Sequence, residues 1–255
     1  MAKTLLITGG ASGIGAETAR LAAGRGYRVA INYRSRASQA DAVVADITAR
    51  GGEAIALPGD VSREDDISRL FDATGRALGP VDRLVNSAGI DGGASRVEDF
   101  DAATLLRLFT VNAVGLMLCC REAARRMSTR RGGKGGVIVN LSSLAAATGG
   151  RPGKSHYAAS KAAVDSFTLG FAKEVAAEGI RVNALRPGMI LTEMTEAALG
   201  DPAVRAEVES TIAMGRVGQA HEIAHAILWL LSDEASFVSG AILDASGGGF
   251  VFGKR

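Results

Sequence analysis

A tyrosine and a lysine lie four residues apart in the stretch SHYAASKAAV, which spans residues 155–164 and consists mostly of good helix formers. Residues i and i+4 share one face of a helix, so Tyr157 and Lys161 can point into the same pocket. A nearby ammonium favours a phenolate, so Lys161 is predicted to lower the pKa of the Tyr157 phenol and make it an acid–base group. Such a group suits proton transfer to or from a carbonyl or alcohol oxygen. The alternative is a solvated lysine beside a half-buried tyrosine, and the rest of the chain must distinguish the two.

Short apolar segments alternate with longer amphipathic ones almost from end to end. Strands this apolar, each followed by a helix, are typical of a parallel sheet that is covered on both faces. The pattern predicts a doubly wound α/β fold of the Rossmann type, in one domain over residues 1–255. Within it, the irregular stretch 187–218 is predicted to be a mobile segment that binds the substrate. The predicted strands are 4–8, 28–32, 54–58, 83–86, 137–141, 181–185 and 241–244.

A glycine-rich turn, LLITGGASGIG, follows the first strand and opens the first helix. Glycines at 9, 13 and 15 remove the Cβ atoms that would keep a backbone away from a pyrophosphate. The helix N-terminus beyond them offers free N–H groups and a favourable dipole to anionic oxygens. Placed between a strand and a helix, the turn predicts dinucleotide binding by Gly9, Ser12, Gly13, Ile14 and Gly15.

Four motifs together resemble the short-chain dehydrogenase/reductase family over essentially the full length of the chain. They are TGGASGIG at 8–15, NSAG at 86–89, YAASK at 157–161 and RPGMILT at 186–192. The resemblance implies an NAD(P)-dependent oxidoreductase that acts on alcohol and carbonyl groups, and it assigns further cofactor contacts. These are Asp60 and Val61 at the adenine, Asn86, Ala88 and Gly89 at the adenosine ribose, and Pro187, Gly188, Ile190 and Thr192 around the nicotinamide.

The same resemblance supplies the catalytic partners of Tyr157 and Lys161. Ser143 would orient the carbonyl, with Ser142 as the alternative because the spacing to Tyr157 is one residue longer than is usual in the family. Asn112, in TVNAVG, would support a proton relay beside Lys161, although a purely structural amide is the alternative. The resemblance further implies a homotetramer or homodimer and a carbonyl reductase such as a 3-oxoacyl-carrier-protein reductase. A sugar dehydrogenase of the glucose type is the alternative.

The choice of dinucleotide depends on the end of the second strand, AINYRSRAS. An acid there would bind the ribose 2′-hydroxyl and repel a 2′-phosphate, but the expected position is Tyr33. Arg34, Ser35 and Arg36 follow, and a guanidinium is well matched to a phosphate. The sequence therefore favours NADP(H), with NAD(H) as the alternative.

Composition narrows the class of protein further. The formal charge of +2 gives no reason to expect a nucleic-acid partner, and no uninterrupted apolar run is long enough to predict a membrane span. Cys119 and Cys120 are adjacent and cannot easily bridge each other, so they are expected to be small core residues. We expect a cytoplasmic protein with a small-molecule substrate.

Two rival functions remain. HEIAH, at 221–225, matches the zinc-hydrolase pattern HExxH, but a third ligand has no clear candidate, so no metal site is predicted. A non-catalytic NADP-binding sensor on the same fold would be expected to lack Ser143, Tyr157 or Lys161, and all three are present.

Overall fold

The computed structural model describes residues 2–250, apart from the side chains of residues 197 and 198. Residues 1 and 251–255 of the predicted domain therefore lie outside the described residues. The strands are β1 Thr4–Thr8, β2 Arg28–Tyr33, β3 Glu53–Pro58, β4 Arg83–Asn86, β5 Gly136–Leu141, β6 Ile180–Pro187, β7 Ile190–Leu191, β8 Gly218–Gln219 and β9 Ile242–Ala245. The helices are α1 Gly13–Gly24, α2 Ala37–Ala49, α3 Glu64–Leu78, α4 Ala102–Phe109, α5 Leu116–Met127, α6 Ala145–Thr148, α7 Ser155–Val175, α8 Glu193–Leu199, α9 Pro202–Ser210 and α10 Ala220–Leu231.

The main sheet has seven parallel strands in the order β3-β2-β1-β4-β5-β6-β9. This confirms the predicted doubly wound α/β fold and all seven predicted strands, with ends that differ by at most two residues. The strand order reverses between β1 and β4, so the carboxyl ends of these two strands open a crevice of the kind that binds ligands in such sheets.

Two apolar cores cover the two faces of the sheet. One packs α1, α2 and α10 against it, and the other packs α3, α5 and α7. Strand residues such as Leu5, Leu6 and Ile7 are fully buried because their side chains alternate between two faces of a sheet that is covered on both sides.

One stretch, Ala102–Met127, is long and apolar enough by composition to cross a membrane. It comprises α4, a π-helical turn at Thr110–Gly115, and α5. Leu116, Cys119 and Cys120 within it are buried in the second core, so the stretch is a core helix of this fold.

The predicted substrate segment is more ordered in secondary structure than its composition indicated. It contains β7, α8 and α9, and β7 pairs with β8 at its far end. A small apolar cluster of its own holds it together, formed by Leu199, Val208, Ile212 and Val217.

Candidate functional site

The glycine turn between β1 and α1 lines one end of the cleft that opens at the strand-order reversal. Gly9 has φ +66°, and a Cβ on it would lie 2.8 Å from the Cα of Ala88, so only glycine lets the two turns approach. The Thr8 hydroxyl accepts hydrogen bonds from the amides of Ser87 and Ala88, both at 3.2 Å, which fixes the two turns against each other.

The N-terminus of α1 is open to an anion. Its N-cap residue, Ser12, makes no side-chain cap, and the first turn of α1 contains no acid. By contrast, Asp101 caps α4 and Asp201 caps α9 with their carboxylates. Free amides at a helix N-terminus next to a glycine turn fit the pyrophosphate of a dinucleotide.

Basic side chains lie at the far end of the cleft, beyond β2. Nη1 of Arg36 donates to the Ser12 hydroxyl at 2.8 Å, which joins the end of β2 to the glycine turn. Arg34 is close enough to Asp60 to help lower the pKa of that carboxyl, although desolvation opposes the shift and hydrogen bonds from Ser62 contribute more. The cleft here presents guanidinium groups and hydroxyls, which suit a phosphate.

Tyr157 and Lys161 reach the cleft from the first two turns of α7. Nζ of Lys161 donates to the Leu141 carbonyl at 2.8 Å and lies 6.0 Å from the centre of the Tyr157 ring. The predicted convergence of these two side chains on one pocket is therefore observed.

The predicted direction of the Tyr157 pKa is wrong in this structure. Burial raises the pKa of the phenol, the Ser143 hydroxyl lowers it by hydrogen bonding, and the charge of Asp91 raises it. Burial also lowers the pKa of Lys161 to about 8, against an opposing effect of Asp165. Spacing correctly placed the two groups near each other, but burial is the largest cause of both pKa shifts, and Lys161 is not among the groups that lower the pKa of the phenol.

The two candidate serines after β5 differ in their contacts. The Ser142 hydroxyl is buried and donates to the Lys161 carbonyl at 3.1 Å. The Ser143 hydroxyl accepts from the amide of Ala145 at 3.2 Å and is near enough to the phenol to affect its pKa. Only Ser143 thus has its hydroxyl directed to the tyrosine.

Asn112 lies behind the cleft, in the π-helical turn. Its Oδ1 accepts from the Ile90 amide at 2.9 Å, and its Nδ2 donates to the Ile90 carbonyl at 2.8 Å and to the Ser160 hydroxyl at 3.0 Å. A Cβ on Gly89 would lie 3.4 Å from this Oδ1 and 3.5 Å from the Lys161 ammonium, so the three residues are neighbours. Asn112 thereby links the turn after β4 to α7 through hydrogen bonds.

Most of the predicted site residues line the cleft, and three do not. Asn86 is buried and donates to Asn140 at 2.9 Å, so its side chain lies inside the core and its prediction as a cofactor contact is not supported by the geometry. Gly15 faces the Gly9 carbonyl, and Asn112 lies behind Gly89. Those that line the cleft are Gly9, Ser12, Gly13, Ile14, Arg34, Ser35, Asp60, Val61, Ala88, Gly89, Ser143, Tyr157, Lys161, Pro187, Gly188, Ile190 and Thr192.

Several lining residues were not predicted as contacts. Arg36 was expected from its charge to favour a phosphate but was not among the predicted contacts, and its bond to Ser12 could not be read from spacing. Thr195 was not predicted either, and it forms a reciprocal cap at the start of α8 with Thr192, which was predicted as a contact. The other unpredicted lining residues include Ala11, Asn32, Ser87, Ile90, Val111, Glu193 and Met194.

The HEIAH stretch forms the start of α10, away from the cleft. Glu222, which would be the general base of a zinc hydrolase, accepts hydrogen bonds from both terminal nitrogens of Arg216 at 2.9 and 2.7 Å. It also caps α10 by accepting from the Gln219 amide, and these contacts lower its pKa to about 2. Among residues 2–250, no group of three or more metal-ligating side chains is found.

The chain is similar over nearly its whole length to known oxidoreductases. A family profile described as enoyl-(acyl carrier protein) reductase matches residues 9–249. The uncharacterized oxidoreductase YgfF of Escherichia coli K12 is 47% identical, over 95% of this chain and 98% of its own length. A 3beta-hydroxysteroid dehydrogenase 1 of Eggerthella lenta is 40% identical over 99% of this chain and 97% of its own. A 3-oxoacyl-[acyl-carrier-protein] reductase of Synechocystis is 36% identical over 98% of both.

Two solved structures also match over nearly the whole chain. Levodione reductase superimposes with a TM-score of 0.90 and 33% identity, covering 96% of both chains. A blue fluorescent protein from a metagenomic library, solved in complex with NADPH, superimposes with a TM-score of 0.88 and 30% identity, covering 96% of this chain and 97% of its own.

Proposed function

The chain belongs to the short-chain dehydrogenase/reductase family of oxidoreductases, and from this premise we propose that it is an NADP(H)-dependent enzyme that reduces a carbonyl to an alcohol. The observation that carries the proposal is the convergence of Ser143, Tyr157 and Lys161 on the cleft that the glycine turn lines. A protein that only bound a nucleotide would not need a hydroxyl, a phenol and an ammonium group side by side in the cleft.

The residues of the cleft fit the cofactor in two parts. The uncapped N-terminus of α1 would hold the pyrophosphate, with Gly9 and Gly13 permitting the backbone to come close. Arg34, Arg36 and Ser12 would hold the 2′-phosphate, and the solved relative bound to NADPH supports this choice. Reduced nicotinamide, when bound, supplies a hydride to a carbonyl carbon.

Side chains of the protein would orient the substrate oxygen and transfer a proton to it. Ser143 would donate a hydrogen bond to the substrate oxygen and hold it beside Tyr157. A phenol with a raised pKa keeps its proton at neutral pH, which suits donation to the strongly basic oxygen of an alkoxide. Lys161 would remain largely protonated at neutral pH, since its pKa is about 8, and would stabilise the phenolate that donation leaves. These roles favour the reductive direction.

The substrate class is proposed from the relatives. The similarity to a 3-oxoacyl-[acyl-carrier-protein] reductase favours a 3-oxoacyl thioester. The similarity to a 3beta-hydroxysteroid dehydrogenase, which is 40% identical, makes a steroid ketone the second candidate.

Assembly and location belong to the same proposal. Leu106 on α4, Val114 in the π-helical turn and Leu169 on α7 are apolar and exposed, which supports a homotetramer or homodimer built on these helices. Free, buried Cys119 and Cys120 are compatible with a reducing cytoplasm.

The test is to titrate the purified protein with NADPH and NADH by nucleotide fluorescence and then follow NADPH oxidation with a panel of carbonyls. The panel contains an acetoacetyl thioester, a 3-ketosteroid, a diketone and an aldose. We expect tighter binding of NADPH and turnover with at least one ketone. Binding of neither dinucleotide would refute the proposal, and hydrolysis that depends on added zinc would favour the rival function.

A further inference from the structure

The segment that follows β4 is held beside Tyr157 on both sides of Asp91. Before Asp91, Ile90 is bound through its amide and its carbonyl by Asn112 and lines the cleft together with Tyr157. After Asp91, Gly92 lies against His156, where a Cβ would be 3.1 Å from Nε2 of the imidazole. Since His156 precedes Tyr157 and Ile90 lines the cleft with it, Asp91 lies in the segment that runs beside the start of α7.

Asp91 forms an ion pair with Lys154, at the N-terminus of α7. Nζ of Lys154 donates to Oδ2 of Asp91 at 2.7 Å, and Oδ1 accepts from the Gly93 amide at 3.1 Å. The amide of Ser95 donates to the Gly153 carbonyl at 3.0 Å, so the loop after β4 and the loop before α7 are joined twice. The Asp91 and Lys154 side chains retain 48% and 27% of their exposure, so solvent reduces the strength of the pair without separating it.

We propose that Asp91 and Lys154 are positioning residues whose opposite charges, held where the loop after β4 meets the loop before α7, control how firmly the Tyr157 phenol keeps its proton. The inference rests on the proposed acid–base role of Tyr157. A carboxylate beside a phenol disfavours ionisation of the phenol, and a neighbouring ammonium compensates for that charge. Neither residue touches the reacting atoms, and both act through Tyr157.

The charged groups shift the pKa values in the directions that the proposal requires. Asp91 raises the pKa of Tyr157, after the larger effect of burial. Desolvation works to raise the pKa of Asp91 itself, but its bond to Lys154 keeps that pKa lowered, so Asp91 is ionised at neutral pH.

The other charged groups around the phenol are already engaged elsewhere or belong to the site. Lys161, on the same helix, donates to Leu141. Further out, Asp165 pairs with Arg186, Glu193 lies near Gly13, and Arg151 lies over the ring of Phe250. His156 faces Gly92 and Phe100. Asp91 and Lys154 are therefore the pair to vary.

The experiment compares Asp91→Asn with Lys154→Gln, because both break the same ion pair but leave opposite charges. Asp91→Asn leaves an ammonium and should move the alkaline limb of the reduction profile to lower pH by about half a unit. Lys154→Gln leaves a carboxylate and should move the limb to higher pH by about as much. The double variant and Lys154→Arg should return close to the original profile.

Ionisation of the phenol is also followed without a substrate, by ultraviolet absorbance during alkaline titration. The chain has three tyrosines, so subtraction of the Tyr157→Phe titration isolates Tyr157. Lys3→Gln is the matched control, since the ion pair of Lys3 with Asp233 at 3.0 Å is exposed and remote. It should leave the Tyr157 titration unchanged.

Shifts in the same direction for both single variants would overturn the inference, since that result means that loosened loops and not charge cause the effect. Unshifted profiles would overturn it as well, while leaving the proposed function intact if Tyr157→Phe removes turnover. Full turnover in Tyr157→Phe would instead defeat the proposed function, and the inference with it.

Discussion

The two halves of the cleft are built differently. The half that we propose holds the cofactor, called the cofactor half, is made of the turns after β1, β2, β3 and β4. It consists of backbone, short side chains and the guanidinium groups of Arg34 and Arg36, attached directly to the central sheet. The other half, which we propose binds the substrate and call the substrate half, is formed where the segment 187–218 and the loop 90–100 reach the cleft. That segment and the neighbouring loop 148–154 are attached to the sheet through hydrogen bonds, one ion pair and a small apolar cluster of their own. Steric constraints on glycine dominate the first half, and adjustable side-chain contacts dominate the second.

This difference explains what each half contributes. A backbone turn that tolerates only glycine binds the shared part of a dinucleotide and leaves little room for variation. Loops held by side chains vary freely without disturbing the sheet, so they suit the choice of substrate. Damage to the cofactor half should therefore abolish binding, whereas damage to the substrate half should alter turnover by degrees.

The largest effect on cofactor binding is expected from Gly9→Ala. Its Cβ would collide with the Ala88 backbone at 2.8 Å, so the two turns must separate. NADPH affinity, measured by fluorescence titration, should fall on the order of 100-fold, equivalent to about 2.7 kcal/mol. Gly26→Ala is the matched control, since φ is +81° there but nothing lies within 4 Å of the new Cβ. Equal losses in the two variants would show that backbone strain alone is responsible.

Lys161→Met should remove most turnover and yet stabilise the fold at neutral pH. The pKa of Lys161 is lowered to about 8, so the unfolded chain binds more protons than the folded one between about pH 8 and 10.5. The wild-type free energy of unfolding should therefore rise through that window, by roughly 2–4 kcal/mol, and the variant should lack this rise. Denaturation at several pH values measures it.

Lys173→Met is the control for that experiment, because Lys173 lies on the same helix but is exposed. It should keep both turnover and the rise in stability. A Lys161→Met protein whose stability still rises across the window would contradict the assignment of the rise to Lys161.

Arg34→Ala and Arg36→Ala together should weaken NADPH binding by about 10- to 100-fold and leave NADH binding nearly unchanged. This loss is equivalent to about 1.4–2.7 kcal/mol, on the order of one charge-assisted hydrogen bond to a phosphate. Arg36 should account for much of the loss because its bond to Ser12 already orients it. Arg50→Ala, at the other end of α2, serves as the control. Equal weakening of both dinucleotides would mean that the arginines do not read the 2′-phosphate.

The smallest effect is expected in the substrate half, from Val208→Ala. Val208 is buried in the cluster of that half, and removing two methyl groups costs on the order of 1 kcal/mol. The KM for the carbonyl should rise several-fold, while NADPH affinity remains unchanged. Val204→Ala on the same helix, at a position that is 40% exposed, should change neither quantity. A large loss of NADPH affinity in Val208→Ala would remove the distinction between the two halves.

The sequence predicted the fold, and the place of the glycine turn within it, because both depend on local patterns. Buried parallel strands read as apolar runs, and the glycine turn is visible from its position between β1 and α1. Asn86 shows the limit: its place in a motif predicted a contact, but as the last residue of β4 it points into the core toward Asn140. Which face a strand-end residue takes depends on the pleat, which a motif does not encode.

The rest depended on burial and on contacts distant in sequence. Spacing placed Lys161 beside Tyr157 but could not show that burial would raise the pKa of the phenol. The Arg36–Ser12 bond joins residues 24 positions apart, and the Asp91–Lys154 pair joins residues 63 apart. Such pairs become visible only once the sheet brings the loops together.

The central claim is that the Tyr157 phenol gives its proton to the substrate oxygen beside a bound nucleotide. Tyr157→Phe removes one oxygen atom and tests it most directly, with turnover and NADPH affinity measured on the same protein. We predict that kcat falls by roughly 100- to 10,000-fold and that the Kd for NADPH stays within about twofold of the wild-type value. Turnover close to that of the wild type would contradict the account.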